Sequence, residues 1–405
     1  MRVLFTVQPA IGHLHPLVPV ANALREAGHE IAVCSAPMFR PDAEAFGLPY
    51  IDAGLDWLAS DQSTWTEFTT PPPPGPEFAK FVVTIFADVT TQHMVPDLLG
   101  VIDHSKPDLV IRESMEYGGC IAAELRGIPH ASVAGNGMSA LDSPEVHYFP
   151  GNRRVVAEPL ARHRAAVGLP SDPDNLMPFR SLHMCFAPKS WDGVDAPAPP
   201  NSEYFLHVDA VPPGTELPAW VSELDRSRPT VFASLGTVFN KTPGLLEAIV
   251  AGVAAQDVNL VVAIGRDVDP ARFGQQPPNV RLEPYVPQAL LLPHCDAFIT
   301  HAGFNSAKES LSAGVPMVAV PITADQPYCA ARLAALGAAK AVGADERSPE
   351  AIAAALGDVL DDGGYRRAAQ SFQQEMRALP GPDRVVARLE ALARNPVASA
   401  SRAGA

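Results

Sequence analysis

Apolar residues in this chain follow two alternating rhythms. Short unbroken runs predict buried strands, and apolar positions three and four apart predict amphipathic helices. Residues 2–7 form such a run. Leu17, Val20, Ala21 and Leu24 then repeat at helical spacing behind Pro16, and Gly28 closes the helix. Pro16 suits a first helical turn, where its missing N–H costs little. Between run and helix, residues 8–15 read as a loop. Residues 30–35 predict a second strand, 41–46 a short helix and 49–51 a third strand. Farther on, 77–102 carries a helical stripe at Phe78, Phe81, Val82, Ile85 and Val89. A strand at 108–112, a helix at 117–125 with Gly127 behind it, and a strand at 130–134 complete the pattern. This β-α-β order implies a doubly wound parallel sheet of at least five strands. Residues 53–76, with Trp57, Trp65 and the prolines at 71–74, predict a long surface loop; 135–180 mixes loop and helix.

Strands are also predicted at 181–186 and 203–207, then a Pro-rich stretch spans 195–218. Beyond it the architecture repeats without sequence repetition. Strands are predicted at 230–234, 260–264, 280–283, 296–300 and 317–320, and helices at 349–360, 364–379 and 383–394. The predicted organisation is an α/β chain with a first domain at 1–205, a Pro-rich linker at 206–218, a second domain at 219–378, a last helix at 379–394 and a disordered tail at 395–405.

Composition narrows the function classes. A chain of 405 residues exceeds one typical core, which favours two domains. A net charge of −15 argues against nucleic acid or an anionic membrane as partner. The five cysteines form no CxxC pair, so neither an ordinary zinc motif nor a disulfide framework is expected. No run reaches the roughly 18 apolar residues of a membrane span. The expected location is cytoplasmic.

The densest chemistry lies at 298–326, FITHAGFNSAKESLSAGVPMVAVPITADQ. It reads as strand, glycine turn, helix, strand and polar tip. Ser306 followed by Glu309 has the spacing of a capping box at the helix start. A helix N-terminus offers free N–H groups and a positive dipole end, which suits a phosphate or diphosphate. His301 and Asn305 add donors. The same pattern fits an ordinary βαβ crossover whose glycine only makes the turn.

In open α/β sheets ligands sit at the carboxyl ends of strands near the topological switch. Thr237, His301 and Asp325 each follow a different predicted strand of the second half. In the first half the rule selects His13, after the first strand, and Glu113, after the fourth. A strand order 3-2-1-4-5 makes those two strands neighbours, so His13 and Glu113 are expected to meet. A carboxylate beside a histidine orients it and raises its proton affinity, as a general base requires. His13 as a mere helix cap, and Glu113 paired with Arg112 or facing solvent, are the alternatives. Asp172-Pro173-Asp174 and Asp267-Val268-Asp269 are DxD tripeptides in polar loops, where such triplets are common by chance; no metal site is expected.

The segments HAGFNSAKE, AGVP and PITADQ, with Tyr285-Val286-Pro287-Gln288 and Ser234-Leu235-Gly236-Thr237 upstream, resemble in order the nucleotide-sugar signature of the inverting glycosyltransferases of the GT-B fold, which include bacterial natural-product enzymes. Gly12-His13-x-x-Pro16 is similar to that family's G-H-x-x-P motif. After P-D-L-V-x-x the family carries Asp where this chain has Glu113, one methylene longer.

The resemblance implies two Rossmann-like domains facing each other across a cleft. The first would bind the acceptor and the second the nucleotide sugar, with the last helix crossing back to the first. The implied reaction moves a sugar from a dTDP- or UDP-sugar to a hydroxyl of an apolar small molecule, with inversion and without metal or other cofactor. His13 would be the base and Glu113 its support. His301, Asn305, Ser306 and the backbone at Gly303 would hold the diphosphate, with Thr237 nearby. Glu309 would accept from the ribose. Tyr285 would stack on the base, the Val286 backbone would pair with its edge, and Gln288 would reach base or ribose. Asp325 and Gln326 would read sugar hydroxyls. Trp57, Trp65, Phe68, Phe78, Phe81 and Phe86 fall where the family builds its acceptor pocket; core packing explains them equally. The resemblance also allows a homodimer. The rival functions are a nucleotide-sugar 2-epimerase of the same fold and a catalytically silent activator of another transferase.

Overall fold

The apolar runs of the first half become seven parallel strands: β1 (Arg2–Thr6), β2 (Glu30–Ser35), β3 (Tyr50–Asp52), β4 (Leu109–Glu113), β5 (His130–Val133), β6 (Leu182–Cys185) and β7 (Ser202–Tyr204). They pair in the order β3-β2-β1-β4-β5-β6-β7. Every residue of β4 and β5 is buried, as expected of central parallel strands covered on both faces. Six further parallel strands form a second sheet: β8 (Thr230–Ser234), β9 (Asn259–Ala263), β10 (Val280–Glu283), β11 (Ala297–Thr300), β12 (Met317–Ala319) and β13 (Ala339–Ala341), in the order β10-β9-β8-β11-β12-β13. The paired residues Phe232 and Phe298 stack across β8 and β11 with ring centroids 5.0 Å apart. Each sheet therefore has its order reversal beside its first strand, between β1 and β4 and between β8 and β11.

The computed structural model describes residues 1–68, 76–135, 153–193, 195–238, 242–266 and 268–395. The prolines at 71–74, part of the unassigned stretch 135–180, Asp267, the Phe78 side chain and nearly all of the expected tail lie outside the described residues and side chains. The chain forms two units, Met1–Pro213 joined by the chain from Leu379 onward, and Gly214–Ala378. The helix Pro382–Arg394 belongs to the first unit. Its Val385, Leu389 and Leu392 enter the same apolar core as Val20 and Leu24 of the helix Val18–Glu26 and its N-cap Leu17. Arg388 and Glu203 of β7 form an ion pair there.

Three local expectations fail. Residues 8–15 are not all loop, because Ile11–Leu14 closes one helical turn that carries His13. The described part of the expected surface loop 53–76, residues 53–68, is not simply surface. Trp57 is 2% exposed, and its ring contacts Phe68 at 4.9 Å, Trp65 at 6.0 Å and Phe86 at 6.2 Å. So much aromatic area is more favourably packed inward than left in water. The helical stripe at 77–102 is real but interrupted: Pro76–Val83 runs into a π-helical segment, Thr84–Val89, before Thr90–Ser105. Such π segments are frequent at functional sites.

Candidate active site

β1 and β4 pair in register from Val3↔Leu109 to Thr6↔Arg112, so both chains leave the sheet at the same edge. The turn after β1 lifts His13, and β4 ends on Glu113. His13 Nδ1 lies 2.9 Å from Glu113 Oε2; the histidine side chain is 18% exposed and the carboxylate fully buried. The other carboxylate oxygen, Oε1, accepts from the Met115 backbone N–H at 2.6 Å and from Ser114 Oγ at 3.3 Å. Glu113 thus neither faces solvent nor pairs with the Arg112 side chain. Arg112 is itself buried and donates to the backbone carbonyls of Glu113, Ser114 and Glu116 at 2.9–3.0 Å and of Pro178 at 2.6 Å. It braces the loop that holds the carboxylate, a role unreadable from one strand position.

Phe86, in the π-helical segment, approaches the His13 ring with centroids 5.5 Å apart. His15 turns instead to Phe46. A second carboxylate, Glu116, is buried near the same edge, bonded to Thr6 Oγ1 and the Gly119 N–H. Burial pushes its pKa up.

In the second unit, β8 and β11 end together on the pair Ser234↔Thr300. His301 follows at once, and its ring sits against two glycines. A Cβ at Gly236 would fall 2.7 Å from His301 Nε2, and one at Gly303 2.5 Å from it, so neither position admits a side chain without moving the ring. Gly236 also has φ +77°, which L side chains rarely adopt. Gly236 is a missed site residue; the Ser-Leu-Gly-Thr segment held its signal. Burial pushes the His301 pKa down to about 4, partly offset by a backbone hydrogen bond with Ser234. The imidazole is therefore neutral at pH 7.

The helix beside it runs Phe304–Ala313, with Gly303 in extended conformation at its N-cap and no side-chain cap. The expected capping box is absent: Ser306 is the third helical residue. Gln288 Nε2 donates to Glu309 Oε2 at 2.7 Å and to Ser306 Oγ at 3.3 Å, which draws both side chains away from the helix start. The first intrahelical bond is from Ala307 N–H to the Gly303 carbonyl. The backbone N–H groups of Phe304, Asn305 and Ser306 precede it and carry the positive end of the helix dipole. Thr237 is exposed just past β8.

Tyr285 is 52% exposed, and the Arg266 guanidinium lies 4.6 Å from its ring centroid. Arg266 had no signal in the sequence, because it reaches Tyr285 from a different loop. Val286 is buried. Gln326 Oε1 accepts from the N–H groups of Ile322 and Thr323 at 2.8 and 3.0 Å, so it shapes the polar tip. Asp325 stands at the N-cap of the next helix, Gln326–Ala335. Among the described residues no group of three or more His, Cys, Asp or Glu is arranged for a metal ion. Asp172 is held by Arg180 and the Met177 N–H, and Asp269 caps a short helix. No helix among the described residues is long and apolar enough to cross a membrane.

Comparison with known proteins gives a consistent picture. Residues 247–392 match the family described as erythromycin biosynthesis protein CIII-like, C-terminal domain. The chain is 30% identical to L-demethylnoviosyl transferase of Streptomyces niveus, over 94% of this chain and 96% of that one. It is 29% identical to 4'-demethylrebeccamycin synthase of Lentzea aerocolonigenes, over 93% and 96%. Among solved structures it is similar to the glycosyltransferase VinC in complex with dTDP, at 26% identity and a TM-score of 0.76, covering 97% of this chain and all of VinC.

Proposed function

The chain belongs to the glycosyltransferases of antibiotic biosynthesis with the GT-B fold, and we propose that within this family it transfers a sugar from a nucleoside diphosphate to a hydroxyl of an apolar small molecule, inverting the anomeric carbon. One observation carries the reading: a buried carboxylate on Nδ1 of a partly exposed histidine. A ring proton held on Nδ1, the nitrogen 2.9 Å from Glu113 Oε2, leaves the Nε2 lone pair available to a substrate. His13 Nε2 takes the acceptor proton as the acceptor oxygen forms its bond to the anomeric carbon. The bond from that carbon to the diphosphate breaks on the opposite face, and its electron pair leaves on the diphosphate oxygen. Glu113 stabilises the imidazolium so formed.

The donor half of the proposal uses the second unit. The N–H groups of Phe304, Asn305 and Ser306, with neutral His301 as a hydrogen-bond donor, would receive the diphosphate and its growing charge. The backbone at Gly303 lies next to them in the chain, and Thr237 follows Gly236, which sits against the His301 ring. Tyr285 and Val286 would meet the base, Gln288 and Glu309 the ribose, and Asp325 and Gln326 the sugar. Helix N–H groups can neutralise the leaving group without a metal. The dTDP bound by VinC makes a thymidine-linked donor the first choice, with uridine as its competitor. Trp65, Phe68, Phe81 and Phe86 are partly buried, Phe86 against the His13 ring, and would suit an apolar acceptor.

The test is direct. The protein is incubated with dTDP- and UDP-sugars and a panel of hydroxylated apolar acceptors, and the anomeric configuration of any glycoside is read by NMR. An inverted glycoside is expected. Donor consumption that needs no acceptor and yields an epimerised nucleotide sugar overturns the reading.

A further inference from the structure

Glu113 is one methylene longer than the Asp that the family resemblance leads one to expect, and the extra length has to fit a fully buried site. Both carboxylate oxygens are already engaged, Oε2 with His13 and Oε1 with the Met115 N–H. A shift of the carboxylate to make room would stretch the Met115 bond or change the distance to His13. The room comes from the other side. A Cβ built on Gly135, just beyond β5, would lie 3.0 Å from Glu113 Oε1, 3.2 Å from Cγ and 3.5 Å from Cδ. Cγ is the methylene that distinguishes Glu from Asp. Gly135 is not among the residues with positive φ, so its backbone does not call for glycine. Its N–H donates to Ser114 Oγ at 3.0 Å, and that hydroxyl donates to Glu113 Oε1, so the gap has a fixed wall.

The geometry points to Gly135 as a positioning residue that makes a glutamate usable as the partner of His13: Glu113 and Gly135 are a matched pair. This rests on the reading of His13 as the base. A methyl group at 135 would press on Cγ and Oε1, and a carboxylate bonded to Met115 on one oxygen and set against His13 on the other yields by moving relative to the imidazole. Small misplacements of catalytic groups are costly, up to about 10²-fold for 1 Å.

The experiment is a double-mutant cycle of Gly135→Ala and Glu113→Asp, read by kcat, donor KM and thermal unfolding. Gly135→Ala alone should lower kcat roughly 4- to 10-fold with donor KM little changed. Glu113→Asp should also lower kcat, because the carboxylate is drawn back from His13. In the Asp background Gly135→Ala should cost no more than about twofold, since the methylene it presses on is gone. Native kcat in Gly135→Ala, or the same loss factor in both backgrounds, overturns the pairing. If Gly135→Ala fails to fold, the double variant must fold; failure of both also overturns it. His13→Ala separates this inference from the one beneath it. Native turnover there removes the base assignment, while coupling of 113 and 135 in thermal unfolding tests the fit without reference to turnover.

Discussion

His13 and His301 both stand at the order reversal of their own sheet, on opposite sides of it. Each follows a strand that flanks its sheet's order reversal, His13 after β1 and His301 after β11. Their surroundings are opposite. His13 meets a buried carboxylate 2.9 Å away and keeps part of its ring exposed. His301 is wedged beside Gly236 and Gly303, and its pKa is pushed down to about 4. The topology supplies a place for a histidine; the neighbour decides whether it accepts protons or only donates a hydrogen bond. A carboxylate favours the charged ring and desolvation disfavours it.

The sharpest way to break this contrast is His13→Ala. Turnover should fall roughly 10²- to 10⁴-fold, with nucleoside diphosphate affinity by calorimetry nearly unchanged. Unaltered turnover would make the two histidines equivalent after all. Glu113→Gln should be milder, on the order of tenfold in kcat, because the amide can still orient the ring but no longer stabilises the imidazolium. A loss equal to that of His13→Ala would mean that the base is ineffective without the charge beside it.

His301→Ala should act on binding rather than on the chemical step. A neutral donor is worth about 0.5–1.5 kcal/mol, so dTDP affinity should drop by a factor of a few, with little pH dependence between pH 6 and 8. A steep rise in affinity as pH falls through that range would show a charged ring. The same depressed pKa sets a stability signature. Between about pH 6.5 and 4 the unfolded chain binds a proton at His301 that the folded chain refuses, so its contribution is complete above that window and is lost as pH falls through it. His301→Ala should flatten that part of the pH–stability curve, measured by chemical denaturation. The smallest expected effect is that of excess chelator, which should leave turnover unchanged; loss restored by magnesium or manganese would shift charge neutralisation from the helix N-terminus to a cation.

The meeting of His13 with Glu113 was legible because strand order follows from β-α-β alternation, and neighbouring strand ends bring their next residues together. The second sheet was legible for the same reason, except β13: Ala-Lys-Ala has no apolar run to signal a strand. Ser306 and Glu309 misled because Ser-x-x-Glu also occurs inside a helix, and only the position of Gln288 shows where their oxygens turn. Trp57 misled because a segment rich in turn residues reads as surface until its aromatic partners are counted. Arg112, Gly135 and Arg266 were not legible at all. Each acts through a neighbour distant in sequence or hidden by its own strand, and no local pattern marks such a contact.

The return of helix Pro382–Arg394 to the first unit has a consequence for biosynthesis. The surface that receives Val385, Leu389 and Leu392 emerges from the ribosome early, and its cover is made last. At typical elongation rates the whole of Gly214–Ala378 intervenes, a delay of about ten seconds or more. During that interval an apolar strip on the nascent first unit is open to water, to chaperones or to a neighbouring nascent chain. Premature termination after the second unit would release a chain whose first unit still lacks this cover.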